Sequence, residues 1–378
     1  MDLKKIKSVR IKPVFQSILK CIGVILCVLL GIFIFYEKQI STLTKIGYSK
    51  EASKTILFSW KKDDVLAVGE NKTLNEAFLS SDYKEKYFNN YTKINYVDQE
   101  HFIKNINKLL DIGYSNRDIN IIFAHGDDNS VTNFTKREKI RYLEEFFSVD
   151  YAKLDNYDRY VNYSDETGED EETTVLFVNL DLDKEDYKDP IMVDKFSTDM
   201  LVNKHRALSE DFEPNDLMII PAEYAAEDDF QCSRIAFNAY KKMSDAATAD
   251  GYSIIINSAY RSYQDQLDIM DYYRNAYGQD YVDKYVATAG YSEHQTGLAF
   301  DIGSRSVNVF ANSKEYEWMS ENAYKYGFIM RYSSRYEKVT GFRKEAWHYR
   351  YVGEKIAKYI HEHNEMPLEE YYAMFLDK

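Results

Sequence analysis

The sequence is poor in the residues that mark several protein classes. Of its 378 residues, 3 are cysteine, 5 are proline and 15 are glycine. So little cysteine excludes a disulfide-dense scaffold, and so little proline and glycine excludes collagen-like and linker-rich architectures. The 48 basic residues are outnumbered by 62 acidic ones, and the net charge of −14 argues against a general nucleic-acid binder. Tyrosine (34) and phenylalanine (21) are abundant, and 45% hydrophobic residues are enough for a sizeable core.

The N-terminus combines a basic tail with a long apolar run. Residues 1–12 carry five Lys and Arg against one Asp, and residues 13–36 are almost entirely apolar. As a helix these 24 residues would span about 36 Å, which exceeds a hydrocarbon core of about 30 Å. The basic flank predicts a single-pass signal anchor with a cytoplasmic tail and an extracellular remainder in the cell membrane. A cleaved signal peptide is the alternative, but no small-x-small site follows Tyr36.

The part beyond the predicted anchor is more acidic than the whole chain. Residues 1–36 carry a charge of +5, which leaves −19 for residues 37–378. Cys232 is the only cysteine in that part, so it cannot form an intrachain disulfide. We expect Cys232 to be a small buried hydrophobic residue in a helix.

Residues 37–150 are predicted to form a mainly helical stalk module. Two segments, 46–51 and 112–117, begin with Ile-Gly-Tyr-Ser and lie 66 residues apart. The glycine is typical of a helix C-terminus and the serine of a cap on the next helix. Residues 151–195 are predicted to be an acidic linker with one strand. In it, 165–172 would be a solvated loop and 173–180 (TTVLFVNL) the strand.

Residues 196–378 have the pattern of one compact α+β domain. Apolar strands are expected at 254–258, 298–302 and 347–351. Helical periodicity is expected at 233–249, 263–277, 316–326 and from 356 onward.

Four residues in this domain have the chemistry of a catalytic metal site. His294 and Asp301 lie in SEHQTGLAFD (292–301), and Glu345 precedes His348 in EAWHY (345–349). Two imidazoles and one carboxylate leave an open fourth position, as catalytic zinc requires. Glu345 would then lie beside zinc-bound water and act as base and later as acid. Either pair alone is common in unrelated proteins, but here both follow Ser258-Ala-Tyr-Arg-Ser-Tyr263 and Gln266.

In this combination and order, the blocks resemble the LAS group of zinc D,D-peptidases, which includes lysostaphin and hedgehog. Within that group they are most similar to VanY-like D-alanyl-D-alanine carboxypeptidases. The resemblance covers about 196–378, half of the chain, and extends to EAWHYRYVG (345–353). It implies an α+β fold in which a small antiparallel sheet with flanking helices carries the ligands. One departure is Thr288-Ala289-Gly290, where relatives often carry an Arg-Pro-Gly-like approach, which puts substrate fit in doubt more than metal binding.

The resemblance also implies a role for each matching position. His294, Asp301 and His348 would bind Zn²⁺, Glu345 would be the base, and Arg261 would polarise the scissile carbonyl. Ser292 and Gln266 would hold the C-terminal end of the substrate.

The implied activity is removal of the terminal D-alanine from a peptidoglycan stem peptide by a membrane-anchored carboxypeptidase. An L,D-carboxypeptidase or a peptidoglycan endopeptidase with the same zinc site remains open, as does a non-catalytic wall-binding protein. The oligomeric state and the role of 37–195 also stay open.

The other aromatic and histidine residues are given structural roles. Trp347 and Tyr349 are expected to pack the ligand strand rather than to stack on substrate. His361 and His363 are predicted to be surface residues and His125 a loop residue. His101 and His205 have no partner at ligand spacing.

Overall fold

A computed structural model describes residues 13–140 and 143–377 of the chain. The chain divides into two compact units, Met1–Glu144 and Glu145–Lys378. The predicted cytoplasmic tail, 1–12, lies outside the described residues.

The first helix contains the predicted anchor. Helix α1 spans Pro13–Lys45, and its part from Ser17 onward is long and apolar enough to cross a membrane. Its large apolar side chains between Ile18 and Phe35 are exposed, as expected of a segment that does not pack in a protein core. Length and composition do not distinguish an anchor from a signal sequence.

The rest of the first unit is helical, as the sequence predicts. The two cap predictions are confirmed. Gly113 ends helix α6 in the left-handed conformation (φ 103°), and Ser115 and Asp118 form a capping box at the start of helix α7. Gly47 has φ 106°, and Ser49 caps helix α2. The helices after α1 are α2 (Lys50–Phe58), α3 (Lys62–Val68), α4 (Lys72–Leu79), α5 (Phe88–Tyr91), α6 (Phe102–Ile112), α7 (Asn116–His125), α8 (Asp128–Phe134) and α9 (Leu143–Phe146).

A buried tyrosine–asparagine pair closes one helical hairpin of this unit. Tyr91 Oη donates to Asn107 Oδ1 (2.6 Å) and accepts from the backbone N–H of Lys84 (3.2 Å). Asn107 Nδ2 donates to the carbonyl of Asp82 (2.6 Å). Because both side chains are buried, each of these polar groups depends on the others for its hydrogen bonds.

The same arrangement occurs again in the second unit. Tyr160 Oη donates to Asn179 Oδ1 (2.5 Å) and accepts from the backbone N–H of Lys153 (2.8 Å). Asn179 Nδ2 donates to the carbonyl of Tyr151 (2.8 Å). The tyrosines are 69 residues apart, close to the 66-residue spacing of the Gly-Tyr-Ser segments. The two tyrosine–asparagine pairs thus have the same pattern of hydrogen-bond partners.

The predicted strand at 173–180 is wrong, because these residues lie in helix α11 (Glu171–Asn179). Asp170 caps this helix, and Glu171 and Glu172 favour its first turn. Its β-branched residues are buried on a helix, where packing outweighs their strand propensity. The predicted loop at 165–172 is also largely helical: it contains the end of helix α10 (Tyr157–Thr167), a turn and the start of α11, although its side chains are mostly exposed.

The second unit is built on a four-stranded antiparallel sheet with the order β5-β6-β8-β7. This confirms the predicted fold class. The strands are β5 (Ile254–Ser258), β6 (Ala299–Ser304), β7 (Phe328–Tyr332) and β8 (Glu345–Tyr351). Two small pairs precede it: β1 (Ile191–Met192) with β2 (Arg206–Ala207), and β3 (Leu217–Ile219) with β4 (Gln231–Ser233).

Helices surround this sheet, and the residue ranges of some elements agree with the ranges predicted from the sequence. Strand β5 and helix α13 have the predicted bounds, whereas β7 was not predicted. Cys232 is fully buried as expected, but it lies in strand β4 and not in a helix. The helices are α12 (Arg234–Ala249), α13 (Tyr263–Tyr277), α14 (Gln279–Tyr285), α15 (Lys314–Asn322), α16 (Glu337–Thr340), α17 (Glu354–Glu362) and α18 (Leu368–Phe375).

Removing the Asn107 amide should destabilise the first unit. In Asn107→Ala the hydroxyl of Tyr91 and the carbonyl of Asp82 lose a buried partner, which costs about 1–3 kcal/mol. Chemical denaturation of the full chain in detergent measures this cost. Asn89→Ala, at an exposed position of helix α5, is the matched control, and an equal loss in both variants would contradict the prediction.

Candidate metal centre

The pairing of two strands brings the central donors together. Asp301 on β6 is the register partner of His348 on β8. His294 lies in the 3₁₀ turn Glu293–Thr296, immediately before β6. One donor atom from each of the three residues lies within 4.8 Å of the others. The structure therefore groups the three residues that the sequence predicts as ligands.

The donor atoms of the three residues face one another around the Asp301 carboxylate. Asp301 Oδ1 lies 3.4 Å from His294 Nε2 and 3.3 Å from His348 Nδ1. This carboxylate oxygen is buried and has no hydrogen-bond partner among the described residues. A buried oxygen facing two ring nitrogens suits a divalent cation that accepts nitrogen and oxygen ligands, such as zinc.

The other nitrogen of each imidazole is hydrogen-bonded behind the site. His294 Nδ1 lies 2.6 Å from the carbonyl oxygen of Ala259, which requires the N–H to be on Nδ1. His348 Nε2 lies 3.2 Å from Glu293 Oε2. These contacts direct His294 Nε2 and His348 Nδ1 toward Asp301.

The protonation of these groups follows from burial and charge. Burial and the nearby Arg261 cation lower the pKa of His294 to about 4. Burial alone would also lower the pKa of His348, but the adjacent carboxylates of Asp301 and Glu293 raise it to about 9. Burial would raise the pKa of Asp301, but the two imidazoles hold it well below its usual range. Asp301 is therefore available as an anionic donor.

Glu345 is placed beside the cluster as the sequence predicts. Glu345 is the first residue of β8, and its Oε2 lies 3.9 Å from His348 Nδ1. Burial raises the pKa of Glu345, which makes its carboxylate a better proton acceptor.

Arg261 reaches the same cavity from the end of β5. It immediately precedes the capping box of Ser262 and Asp265 that starts α13, and its backbone N–H donates to the carbonyl of His294 (3.3 Å). Its Nε is buried with no hydrogen-bond partner in the described part of the chain. An orphaned buried guanidinium at the cavity wall suits an anionic or carbonyl oxygen of a ligand.

Gln266 and Ser292 also line this cavity. Gln266 is buried; its Nε2 donates to the carbonyl of Ala287 (2.7 Å), and its Oε1 has no hydrogen-bond partner within the described ranges. Ser292 precedes the turn that carries His294 and is also buried.

The cavity has a volume of about 380 Å³ and an aromatic and basic rim. Tyr281 stacks between Tyr277 and Tyr285 (ring centroids 4.8 Å from each), and the Arg343 guanidinium lies over Tyr285.

Trp347 lines the cavity and is 44% exposed, so its expected packing role is wrong, whereas Tyr349 is buried in the core as expected. The remaining wall residues include Ile269, Tyr273, Val286, Tyr332, Phe342 and Lys344.

The sequence analysis missed a buried charge network behind His348. Glu293 Oε1 accepts from Arg331 Nε (2.8 Å) and Arg350 Nη1 (3.3 Å), and Arg331 makes a second, two-pronged contact with Glu369 (2.6 and 2.9 Å). The four side chains are fully buried. An arginine inside the apolar run FIMRY (328–332) is the signal that could have revealed the network, because buried arginines need paired carboxylates.

A second group of donors lies in the first unit. Glu100, His101 and Asp128 come together, and His101 Nδ1 lies 2.8 Å from Asp128 Oδ2. The sequence shows no partner of His101 at ligand spacing, because Asp128 lies 27 residues away and only the fold brings the two together. Glu100 is exposed, and the His101 side chain is 41% exposed. This group lacks the burial and the orphaned oxygen of the His294 cluster.

Comparisons with known proteins agree with the geometry. The family model described as "VanY: D-alanyl-D-alanine carboxypeptidase" matches residues 229–354. A bifunctional D-Ala-D-Ala dipeptidase and D-Ala-D-Ala carboxypeptidase, VanXYC of Enterococcus gallinarum, is 30% identical over 42% of this chain and 84% of its own length.

Two other curated relatives have a higher sequence identity to this chain but are matched over a smaller share of their own length. The putative carboxypeptidase YodJ of Bacillus subtilis is 44% identical over 46% of this chain and 66% of its own length. A D-alanyl-D-alanine carboxypeptidase of Enterococcus faecalis is 41% identical over 34% of this chain and 50% of its own length. The chain thus spans between half and about two thirds of these two relatives.

Solved structures resemble the same half of the chain. The LdcB LD-carboxypeptidase is 43% identical over 46% of this chain and 84% of that chain, with a TM-score of 0.43. A mutant of a vancomycin-resistance D,D-pentapeptidase VanY in complex with Zn(II) is 33% identical over 46% of this chain and 98% of that chain, with a TM-score of 0.39.

Removal of the three donors should abolish metal binding. We expect one zinc ion per purified full chain and none in a triple variant with His294→Ala, Asp301→Ala and His348→Ala, because no second group of three donors lies in this cavity among the described residues. Elemental analysis measures the stoichiometry. A double variant with His101→Ala and Asp128→Ala is the control and should keep its zinc. Zinc retained by the triple variant would refute the ligand assignment.

Proposed function

The chain belongs to the VanY family of D-alanyl-D-alanine carboxypeptidases, and from this premise we propose that it is a membrane-anchored zinc D,D-carboxypeptidase of peptidoglycan stem peptides. Its substrate would be a stem peptide ending in D-Ala-D-Ala, and its product the peptide shortened by one D-alanine. The activities named for the relatives support this substrate class.

One observation carries the proposal. A single cavity contains the three-donor cluster, a carboxylate 3.9 Å from one donor, and a buried guanidinium with an orphaned Nε. Hydrolysis of an amide at neutral pH needs an activated water, a proton acceptor and a stabiliser of the oxyanion. This cavity offers a candidate for each of the three tasks.

The donors His294, Asp301 and His348 fit a zinc ion, and we assign them as its ligands. When bound, zinc supplies Lewis acidity that lowers the pKa of a coordinated water and polarises a carbonyl. The role that remains for Glu345 is proton transfer: its carboxylate takes a proton from the attacking water and returns it to the leaving amine. The raised pKa of this carboxyl suits both steps.

The remaining polar groups would bind and orient the substrate. Arg261 would stabilise the negative charge that develops on the scissile carbonyl oxygen. This role is supported by its buried Nε, which has no partner among the described residues, and by its position in the cavity wall. Gln266 and Ser292 would hold the terminal residue of the peptide. The orphaned Oε1 of Gln266 is available to accept a hydrogen bond from an amide N–H.

The proposed location of the enzyme would bring it close to its proposed substrate. Helix α1 would anchor the chain in the cell membrane, with the basic residues 1–12 in the cytoplasm and the enzyme domain on the wall side. An enzyme held there meets wall precursors where they emerge.

Replacing Glu345 should separate metal binding from turnover. Glu345→Gln keeps the size of the side chain but cannot accept a proton, so turnover should fall about 10²–10⁴-fold while one zinc ion stays bound. Release of D-alanine and elemental analysis measure the two quantities. Glu321→Gln, at an exposed position of α15, is the control and should keep full activity. Full activity in Glu345→Gln would refute its role as the base.

The choice between D,D- and L,D-specificity requires a direct assay. The zinc-loaded full chain in detergent is incubated with a pentapeptide stem ending in D-Ala-D-Ala and, separately, with the tetrapeptide stem, each with a chelator control. We expect mass spectrometry to show loss of one alanine from the pentapeptide only. Loss from the tetrapeptide would instead assign the L,D class. Cleavage of neither peptide by a zinc-loaded chain would favour an endopeptidase or a wall-binding role.

A further inference from the structure

The two histidine ligands assigned above are supported by acceptors of different charge. His294 Nδ1 donates to a neutral backbone carbonyl, that of Ala259, at 2.6 Å. His348 Nε2 instead faces a carboxylate, that of Glu293, at 3.2 Å. A carboxylate acceptor makes an imidazole a stronger electron donor at its other nitrogen than a neutral carbonyl does. The two rings therefore differ as ligands although both are imidazoles.

Glu293 is held in its charged form by the network behind it. The guanidinium groups of Arg331 and Arg350 lie 2.8 and 3.3 Å from Glu293 Oε1, and these two positive charges favour the charged form of the carboxyl. Its second oxygen accepts from both guanidinium groups, which leaves Oε2 free to face His348. An acceptor that stays anionic keeps an N–H of His348 on Nε2, so that in the neutral ring the lone pair is on Nδ1.

The position of Glu293 is fixed from several elements at once. Arg331 lies on β7 and Arg350 on β8, and Arg331 is held in turn by Glu369 of α18. Arg350 Nη2 also donates to the carbonyls of Met200 (2.9 Å) and Thr198 (3.2 Å). Since these groups are fully buried and their formal charges balance, the carboxylate has no alternative partner in water.

We propose that Glu293 is a positioning residue that fixes the tautomer of His348 and strengthens Nδ1 of this ring as a zinc ligand. The inference rests on the proposed function, because it takes His348 to be a ligand. It predicts that Glu293 sets the affinity of the site for zinc without contacting the metal or the substrate.

The charge-neutral variant Glu293→Gln tests this inference, with Glu369→Gln as the matched control. Both changes remove one negative charge from the same buried network and leave Arg331 with one carboxylate. Of the two glutamates, Glu293 is the one that contacts His348. Zinc affinity, measured on the full chain in detergent by competition with a chromogenic chelator, should fall about 10–100-fold in Glu293→Gln and stay close to the original value in Glu369→Gln. The absorption spectrum of the cobalt-substituted chain should change only in Glu293→Gln.

Three results would overturn the inference. Equal losses of zinc affinity in both variants would show that Glu293 acts through the stability of the network alone. An unchanged affinity in Glu293→Gln would show that the carboxylate does not strengthen the ligand. If the original chain binds no zinc in this assay, the proposed function fails before the inference is reached.

A measurement on the unaltered chain covers the case in which Glu293→Gln does not fold. Long-range ¹H–¹⁵N correlation spectra of the zinc-loaded, ¹⁵N-histidine-labelled chain report which nitrogen of each ring carries the proton. We expect His348 to carry it on Nε2 and His294 on Nδ1. A proton on Nδ1 of His348 would contradict the inference directly.

Discussion

The site depends on the register between two neighbouring strands. Because Asp301 on β6 and His348 on β8 are paired directly, their side chains leave the same face of the sheet. A slip of one residue would turn one of them to the opposite face and separate the donors. His294 reaches the cluster only because its turn leads straight into β6. The sheet and the turn before β6 therefore set the relative positions of the three donors.

Burying four charged side chains beside this sheet is energetically costly unless every charge is paired. Two glutamates and two arginines share their hydrogen bonds so that each guanidinium faces at least one carboxylate. Replacing such a network by apolar residues often costs nothing in stability, so stability alone does not explain its presence. The contact of this network with His348 gives a functional reason for its presence. As a proposed metal ligand, His348 needs a rigid and correctly protonated partner.

The sequence predicted the donors because their residue types suit a metal and because the blocks that contain them, in this combination and order, resemble a known family. It also predicted β5 and α13, where apolar runs end at clear turn and cap signals. It failed at 173–180, where β-branched residues indicate a strand but burial between helices decides the conformation. It missed the partnership of Glu293, Arg331 and Glu369, because contacts between residues far apart along the chain leave no local pattern.

The order of these residues along the chain has a consequence for biosynthesis. Glu293, Arg331 and His348 are synthesised before Glu369 and helix α18. Until that helix docks, Arg331 has only one of its two carboxylate partners, although the contact of Glu293 with His348 does not involve Glu369. The buried charge network can therefore close only after helix α18 has been synthesised and has packed, whereas the three donors of the cavity precede that helix in the chain.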